Sequence, residues 1–406
     1  MEITENKDGR ARIDYLDGLR ASLLLLGIPF HAALAFSGET WFVTSPDKSN
    51  FLYALSEFLH VWRMPAFFIV AGFFAVMMLR RRPAGRWWKG RLRRLGIPLL
   101  FGMIILNPLQ WITLGYFDTM SSSSAFALAM SKALPPSFYW TMHLWFLVEL
   151  LIYCAIVAAI FATPLRSHTS RIVGRCVSWI INHPVAGIAI YLVVLSMLVG
   201  AGLAAWQVLD LGTVFAGLIS RNIVIFAPAF LTGCLLATRS DLLSAFTRIS
   251  MPALSIVGFG CVAVILVIEL GLSSESSAIL SLQSIAWTVG GLTLSAVVFA
   301  IASKVFVKPS SLVRVIVDAS LVVYLLHQPL IILIGNLLID LRITGVVAWV
   351  VTVASTLIIA LLAYEAVNRV PGMRFLMSGR ADRGWSFLDL RNNLPEAAAR
   401  ASSQGR

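Results

Sequence analysis

Apolar runs of eighteen or more residues alternate with short polar connectors along almost the whole chain, at roughly 18–38, 57–79, 95–115, 143–162, 185–203, 219–238, 252–271, 278–303, 314–338 and 344–367. Each can cross ~30 Å of hydrocarbon at 1.5 Å rise per residue. The pattern predicts an all-α, polytopic integral membrane protein of about ten transmembrane helices. Residues 1–17 form a short polar N-terminal segment, 18–367 the helical domain and 368–406 a basic tail. From Asp382 onward the tail mixes charges with Asn393, Pro395 and an Ala/Ser-rich end, a composition that predicts partial disorder. The first run follows a charged stretch without a small-residue cleavage site, so it reads as a retained helix and not a signal peptide.

Composition agrees with lipid as the solvent. Of the 406 residues 58% are hydrophobic and 13% charged, too few charges to coat a soluble domain. The net charge of +12 does not imply nucleic acid, because the cations lie on alternate sides of successive runs. Odd-to-even connectors hold Lys48, Lys132 and Arg342 among acids such as Glu39, Asp47, Asp118, Asp210, Glu275 and Asp340. Even-to-odd connectors hold Arg80, Arg81, Arg82, Arg86, Lys89, Arg91, Arg93 and Arg94, then Arg166, Arg171 and Arg175, then Arg239 and Arg248, then Lys304 and Lys308. The tail adds Arg369, Arg374, Arg380, Arg383, Arg391, Arg400 and Arg406. The positive-inside rule therefore puts both termini in the cytoplasm and makes the number of spans even, as expected in a bacterial inner membrane. Cys154, Cys234 and Cys261 lie within apolar runs and Cys176 in a basic connector, so no disulfide framework is implied.

Ionisable groups inside spans are costly and mark either function or paired structure. Arg20 and His31 are eleven residues apart, which returns to within ~20° of the same helix face about 16 Å higher. Pro29 predicts a kink beside His31. Counted by depth, His31, Arg63, Glu149 and His327 reach one layer beyond the midplane from four different helices. That convergence predicts a polar chamber, with His60 and His143 nearer its outer rim. A snorkelling Arg20 and a His31 bonded to a neighbouring helix are the structural alternatives.

The connector from Arg80 to Arg94 places eight cations in fifteen residues, interleaved with Trp87 and Trp88. It reads either as a topology determinant and lipid-headgroup anchor, or as a dock for a phosphorylated donor held bidentately by guanidinium groups. A histidine ~20 Å above such a dock suits a donor that threads a reactive end upward from an anchored nucleotide, as a coenzyme A thioester would. Imidazole suits removal of a proton from an attacking hydroxyl, and covalent acyl-histidine catalysis is the other option.

Five motifs in order carry a resemblance over nearly the whole chain. They are Asp17-Gly18-Leu19-Arg20 through Leu26-Gly27-Ile28-Pro29-Phe30-His31; Phe58-Leu59-His60-Val61-Trp62-Arg63-Met64-Pro65 with Phe67-Phe68 and Gly72; and Trp87-Trp88-Lys89-Gly90-Arg91-Leu92-Arg93-Arg94-Leu95-Gly96-Ile97-Pro98. His143-Leu144-Trp145-Phe146-Leu147 and Ala319-Ser320-Leu321-Val322-Val323-Tyr324-Leu325-Leu326-His327-Gln328-Pro329 complete the set. The chain resembles the acyltransferase-3 family, and within it the glucans biosynthesis protein C group, succinyltransferases of osmoregulated periplasmic glucans. The resemblance implies His31 as catalytic base with Arg20 as its functional partner, and Arg91 with Arg94 as the donor-side pair, to which the residues add Trp88 and Lys89. His60, Arg63, His143, Trp145, Glu149, Tyr324 and His327 are the expected acceptor-side chamber, with Arg63 meeting a succinyl carboxylate.

The resulting expectation is a membrane O-acyltransferase that takes an acyl group, succinyl from succinyl-CoA, out of the cytoplasm and esterifies hydroxyls of a periplasmic glucan. It needs no metal and no resident cofactor, since acyl-CoA is a co-substrate. The lipid bilayer is its other partner, nucleic acid is not, and a homo-oligomer or glucan-synthesis partners are compatible with it. Two competitors share these residues: an O-acetyltransferase of another exported polysaccharide, distinguished by the mass of the added group, and a transporter of glucan or acyl groups, which would form no ester.

Overall fold

The computed structural model describes residues 4–6, 10–12, 14–119, 126, 141–215, 218–248, 251–271, 277–306 and 310–388. Among the expected landmarks, Lys132, Glu275, Lys308, Arg391, Asn393, Pro395, Arg400 and Arg406 lie outside the described residues. Apart from a small antiparallel pairing of β1 (Thr4–Asn6) with β2 (Arg10–Arg12), the elements are helices.

Nine helical segments among the described residues are long and apolar enough to cross a membrane: Tyr15–Phe36, Asn50–Leu79, Ala84–Asp118, Met142–Ala162, Ala186–Val208, Met251–Glu269, Leu282–Val305, Ser311–Asp340 and Gly345–Arg369. Each coincides with one of the predicted spans. The tenth, predicted at 219–238, is the apolar helix Asn222–Leu236, which at fifteen residues falls short of the others. The chain is therefore a multi-pass membrane protein, with nine full-length candidate spans and one short apolar helix among the described residues. The periphery is apolar, as a helix facing lipid requires: only 11% of the apolar window in Ala186–Val208 is buried, and Met197, Leu198, Ile256, Phe259, Ile358 and Leu362 point outward.

The centre of the bundle is α3 (Asn50–Leu79), which starts at Ser49, whose hydroxyl accepts the Leu52 amide, and carries Pro65 within it. The proline cannot bond to the Val61 carbonyl, and Gly290 and Gly291 fit against that gap. A Cβ on Gly291 would stand 3.0 Å from both the Val61 oxygen and the Pro65 ring. On its other side α3 meets the short helix Asn222–Leu236 almost backbone to backbone. A Cβ on Gly72 would lie 2.1 Å from the Phe230 carbonyl oxygen, and one on Gly233 2.0 Å from that of Ile69. Without a hydrophobic drive between helices in lipid, such small-residue contacts hold spans together.

Two proline effects shape the elements that carry the candidate chemistry. The first span divides into α1 (Asp14–Leu25) and α2 (Gly27–Phe36) at Leu26. Pro29 has no N–H to give the Leu25 carbonyl, which accounts for the break. The third span begins as α4 (Ala84–Arg91) and contains two π-turns, Leu92–Gly96 and Gly102–Leu106, around α5 (Ile97–Phe101), before continuing as α6 (Asn107–Thr119). Each π-turn holds the carbonyl four residues before a proline, Arg94 before Pro98 and Ile104 before Pro108, which is left without its helical donor.

After the 3-10 turn Met142–Leu144 come α7 (Trp145–Ala162), α8 (Leu165–Asn182) and α9 (Pro184–Val208). The connector read as a basic loop is the helix α8, mostly exposed except for residues such as Val177. The remaining elements are α10 (Leu211–Val214), α11 (Asn222–Leu236), α12 (Ser240–Arg248), α13 (Met251–Gly271), α14 (Ser277–Val305), α15 (Ser311–Asp340), α16 (Gly345–Arg369) and α17 (Pro371–Ser378).

The described part of the tail, up to Leu388, is held against the bundle. Gly379 ends α17 in the left-handed region, at φ +61°, with its amide on the Phe375 carbonyl. The chain then runs back beneath α15 and α16. Gly384 and Asn368 exchange two hydrogen bonds, at 2.8 and 3.0 Å, and the Tyr364 hydroxyl donates to the Trp385 carbonyl at 2.6 Å. Ser386 and the Phe387 amide both donate to the Glu365 carboxylate. These partners are polar groups at the end of a span, and Trp385 and Phe387 pack against the core beside them.

Because the Gly72 and Gly233 contacts are with backbone, which cannot rotate away, Gly233→Val is expected to cost at least about 1–3 kcal/mol. The thermal-unfolding midpoint of the purified protein in detergent measures this, and a midpoint equal to wild type would refute the close-packing account.

Candidate active site

Two polar regions lie inside the bundle. The first is built where α2, α3, α15 and the turn before α7 meet. The rings of His31 and His327 are 5.1 Å apart, and those of His143 and His327 5.2 Å. Phe30 joins the group from α2: its ring lies 4.4 Å from the Arg63 guanidinium carbon and 5.5 Å from the His60 ring. His31 stacks on Trp41 at 5.5 Å, and His60 meets Trp287 edge-on at 4.7 Å.

Hydrogen bonds fix several of these groups. Tyr324 gives its hydroxyl proton to the His143 carbonyl at 2.5 Å, and His327 donates from Nδ1 to the Tyr324 carbonyl at 2.5 Å. A carbonyl only accepts, so the His327 proton sits on Nδ1 and Nε2 is left to face the cluster. His143 stands one residue after Met142, which is held at φ +44°, a conformation costing on the order of 1–3 kcal/mol in a residue with a side chain and most often kept at functional sites.

What distinguishes this cluster is unmet bonding capacity. Arg63, His143 and His327 are 8%, 4% and 1% exposed. The Arg63 Nε, the His31 Nδ1, both ring nitrogens of His143 and the His327 Nε2 are buried without a hydrogen-bond partner. Buried polar atoms are ordinarily paired, so a concentration of unpaired ones marks a place built for something else. Gly27 keeps it open: a Cβ there would stand 3.1 Å from Arg63 Nη1 and 3.3 Å from His327 Nε2. Among the described residues no group of three His, Cys, Asp or Glu side chains converges closely enough to hold a metal ion.

Glu149 and Trp145 do not join this cluster. Glu149 is fully buried, but it accepts the Ser220 hydroxyl at 2.8 Å, and Trp145, one turn earlier, stacks on Phe226 at 5.7 Å. Both face α11. Depth along a helix, which grouped Glu149 with the histidines, leaves the direction of its side chain open.

The second region is a cavity of about 150 Å³ at the end of the bundle that carries the basic connector, lined by Arg20, Arg91, Arg94, Arg380 and Asp318, with Phe67, Phe74 and Phe146 in its walls. Arg20 pairs with Asp17 at 3.3 Å and lies over Phe74, while Arg91 lies over Trp87 at 5.3 Å. Arg20 is therefore brought to the arginines and not to His31, from which the break at Leu26 and about 16 Å of helix divide it. Trp88 and Lys89 do not line the cavity. Lys89 is exposed, because it follows Trp87 by two positions and so points to the opposite side of the helix from the Trp87 and Arg91 face. Arg80 has another task, donating to the Ala237 and Thr238 carbonyls at the end of α11 at 2.9 and 3.1 Å.

The two regions almost touch. Phe146 lines the cavity and also meets the Tyr324 ring at 5.7 Å and the Phe67 ring at 4.6 Å. One layer of aromatic side chains separates cluster from cavity. The sequence reading missed Asp318, Arg380, Trp41, Trp287 and Gly27. Asp318 had a signal, an acid inside an apolar run; the others become visible only through packing.

An arginine-lined cavity under a histidine cluster fits group transfer between the two ends of a bundle, and comparison with known sequences agrees. The acyltransferase-3 family, described as an acyltransferase domain, matches residues 13–365. The chain belongs to the acyltransferase-3 family. It is thus an acyltransferase held in a membrane by its apolar helices. The glucans biosynthesis protein C of Salmonella gallinarum is 30% identical over 375 residues, covering 90% of this chain and 94% of the relative. That of Salmonella paratyphi B gives the same identity and coverage. No solved structure matches significantly.

Gly27 offers a direct test of the cluster. Gly27→Val pushes branched methyls toward the Arg63 guanidinium and His327, and a displacement of about 1 Å at reacting groups typically costs on the order of 100-fold in rate. Acyl-transfer rate per mole of correctly inserted Gly27→Val is expected to fall on that scale, and a rate within threefold of wild type would remove Gly27's surroundings from the active site.

Proposed function

We propose that the protein moves a succinyl group from succinyl-CoA, bound at the arginine cavity, to a hydroxyl of a periplasmic glucan reaching the histidine cluster from the far end. The observation that carries this reading is the set of buried, unpaired polar atoms on His31, Arg63, His143 and His327, lying one aromatic layer from a cavity with four arginines. The glucan acceptor is supported by the printed name of the relatives, glucans biosynthesis protein C. The orientation follows from loop charge: the basic end, with both termini, faces the cytoplasm of a bacterial inner membrane.

In this scheme His31 takes the proton of the acceptor hydroxyl as its oxygen attacks the thioester carbonyl. The tetrahedral intermediate collapses with cleavage of the carbon–sulfur bond, and the imidazolium returns its proton to the departing thiolate. Arg63 bears on the identity of the acyl group. It is a buried cation in a span, with no ion pair to a carboxylate among the described residues, and an uncompensated charge at that depth is costly. The terminal carboxylate of a succinyl group would supply the missing partner.

Purified protein given succinyl-CoA or acetyl-CoA with a glucan acceptor is expected to release thiol and form a charged ester only with the succinyl donor. His31→Ala should lose about 10²- to 10⁴-fold in rate while remaining inserted, the usual share of a general base. Undiminished ester formation by His31→Ala, seen by mass spectrometry of the glucan, would defeat the assignment. Arg63→Gln is expected to depress succinyl transfer at least tenfold more than acetyl transfer, and equal losses on both donors would take the carboxylate contact away from Arg63.

A further inference from the structure

The cavity assigned to the donor is closed by a part of the chain that lies beyond the helical spans and beyond the region matching the family, residues 13–365. Ser378 and Arg380 line it, and they arrive there on the segment that turns at Gly379. The turn is seated on the π-turn that carries Arg93 and Arg94: a Cβ at position 379 would stand 2.3 Å from the Arg93 carbonyl oxygen and 2.7 Å from the Arg94 Cα. Only glycine accommodates both that approach and φ +61°.

Beyond the turn, Arg380 is held by a largely covered acid. Its Nη1 pairs with Asp318 Oδ1, and the other carboxylate oxygen accepts the Trp385 amide at 3.0 Å. Asp318 is 9% exposed and the Arg380 side chain 28%. A guanidinium has five N–H donors, so the ion pair fixes the orientation of Arg380 and leaves donors over for the cavity. Trp385 is itself covered by Arg314, at 5.2 Å, and tied to Tyr364. Charge in the cavity is not balanced: four guanidinium groups stand against Asp318 within it and Asp17 beside Arg20. Arg94 is within electrostatic range of Arg380, Arg91 and Arg20 at once. Three like charges gathered around a fourth are stabilised by an anion of several charges.

We propose that Arg380 is a phosphate-binding residue of the donor site, delivered by the C-terminal segment Gly379–Leu388 and positioned by Asp318. The proposal rests on reading the cavity as the place where an acyl-CoA binds, and it adds a fourth cation, from a different part of the chain, to Arg20, Arg91 and Arg94. The recognised chemistry is the phosphate groups of the nucleotide end, and the thioester end is outside its reach.

That division supplies the test. The full chain in lipid nanodiscs is assayed with an acyl-CoA and with the matching acyl-pantetheine, which carries the same thioester and no phosphate. Arg380→Ala and the milder Arg380→Gln are expected to raise KM for acyl-CoA at least tenfold, with kcat within threefold and KM for acyl-pantetheine within twofold of wild type. Arg380→Lys should recover part of the loss, and Asp318→Asn should give an intermediate one. Equal effects on both substrates would mean that Arg380 only holds the fold, and no effect on either would mean that it holds nothing of the donor; each result overturns the proposal. Arg91→Ala separates this failure from that of the donor reading. If Arg91→Ala raises KM for acyl-CoA and Arg380→Ala does not, the proposal alone is lost, whereas if neither does, the cavity is not the donor site.

Discussion

A charge cannot be left facing hydrocarbon, and this constraint arranges the interior. The helices whose outer faces meet lipid carry apolar residues there, and the ionisable groups of the spans turn inward. Once inside, they must be paired or share a polar region. Arg80 is spent on carbonyls at a helix end, Glu365 on the returning C-terminal chain and Glu149 on Ser220. The groups left over gather most densely in the two central regions: guanidiniums in excess of acids at one end, and ring nitrogens and Arg63 without partners at the other. Structural duty accounts for the first set and not for the second, which is why chemistry is read from the second.

Much of this was legible in the sequence because depth in a membrane is nearly a linear function of position. Counting residues from a span's edge put His31, Arg63 and His327 at one height, and the structure does bring them together, with His60 and His143 around them. Height is only one coordinate. Glu149 shares the level and faces α11; Arg20 and His31 share an ideal helix face, but the unpaired Leu25 carbonyl before Pro29 interrupts the helix between them. Nine of the ten expected spans were readable for the same reason; the tenth is the fifteen-residue helix Asn222–Leu236, which falls short of the others and whose closeness to α3 depends on Gly72 and Gly233.

The C-terminal segment shows the opposite limit. Its composition offers few apolar residues for a core, and Trp385 and Phe387 are the ones that pack against it. It is held by hydrogen bonds to Asp318, Tyr364, Glu365 and Asn368, polar groups at the ends of two spans, and no periodicity in the tail announces them. The π-turns are intermediate: Pro98 and Pro108 are plain in the sequence, and so is the loss of a donor four residues back, but whether a helix answers by kinking or by widening depends on its neighbours. Here it widens, and the widened turn at Arg94 is the surface on which Gly379 rests.

Arg20 and Arg380 stand near opposite ends of the described chain and line the same cavity. Every helix of the bundle is threaded between them. The cavity therefore belongs among the last features to take shape during synthesis: its first wall is laid down with the earliest span, and its final one exists only after the last span has been inserted and Gly379 has made its turn. A chain interrupted after the third span holds His31 and the basic connector but not a closed pocket, so the closing of the site waits on a segment that is made after every span.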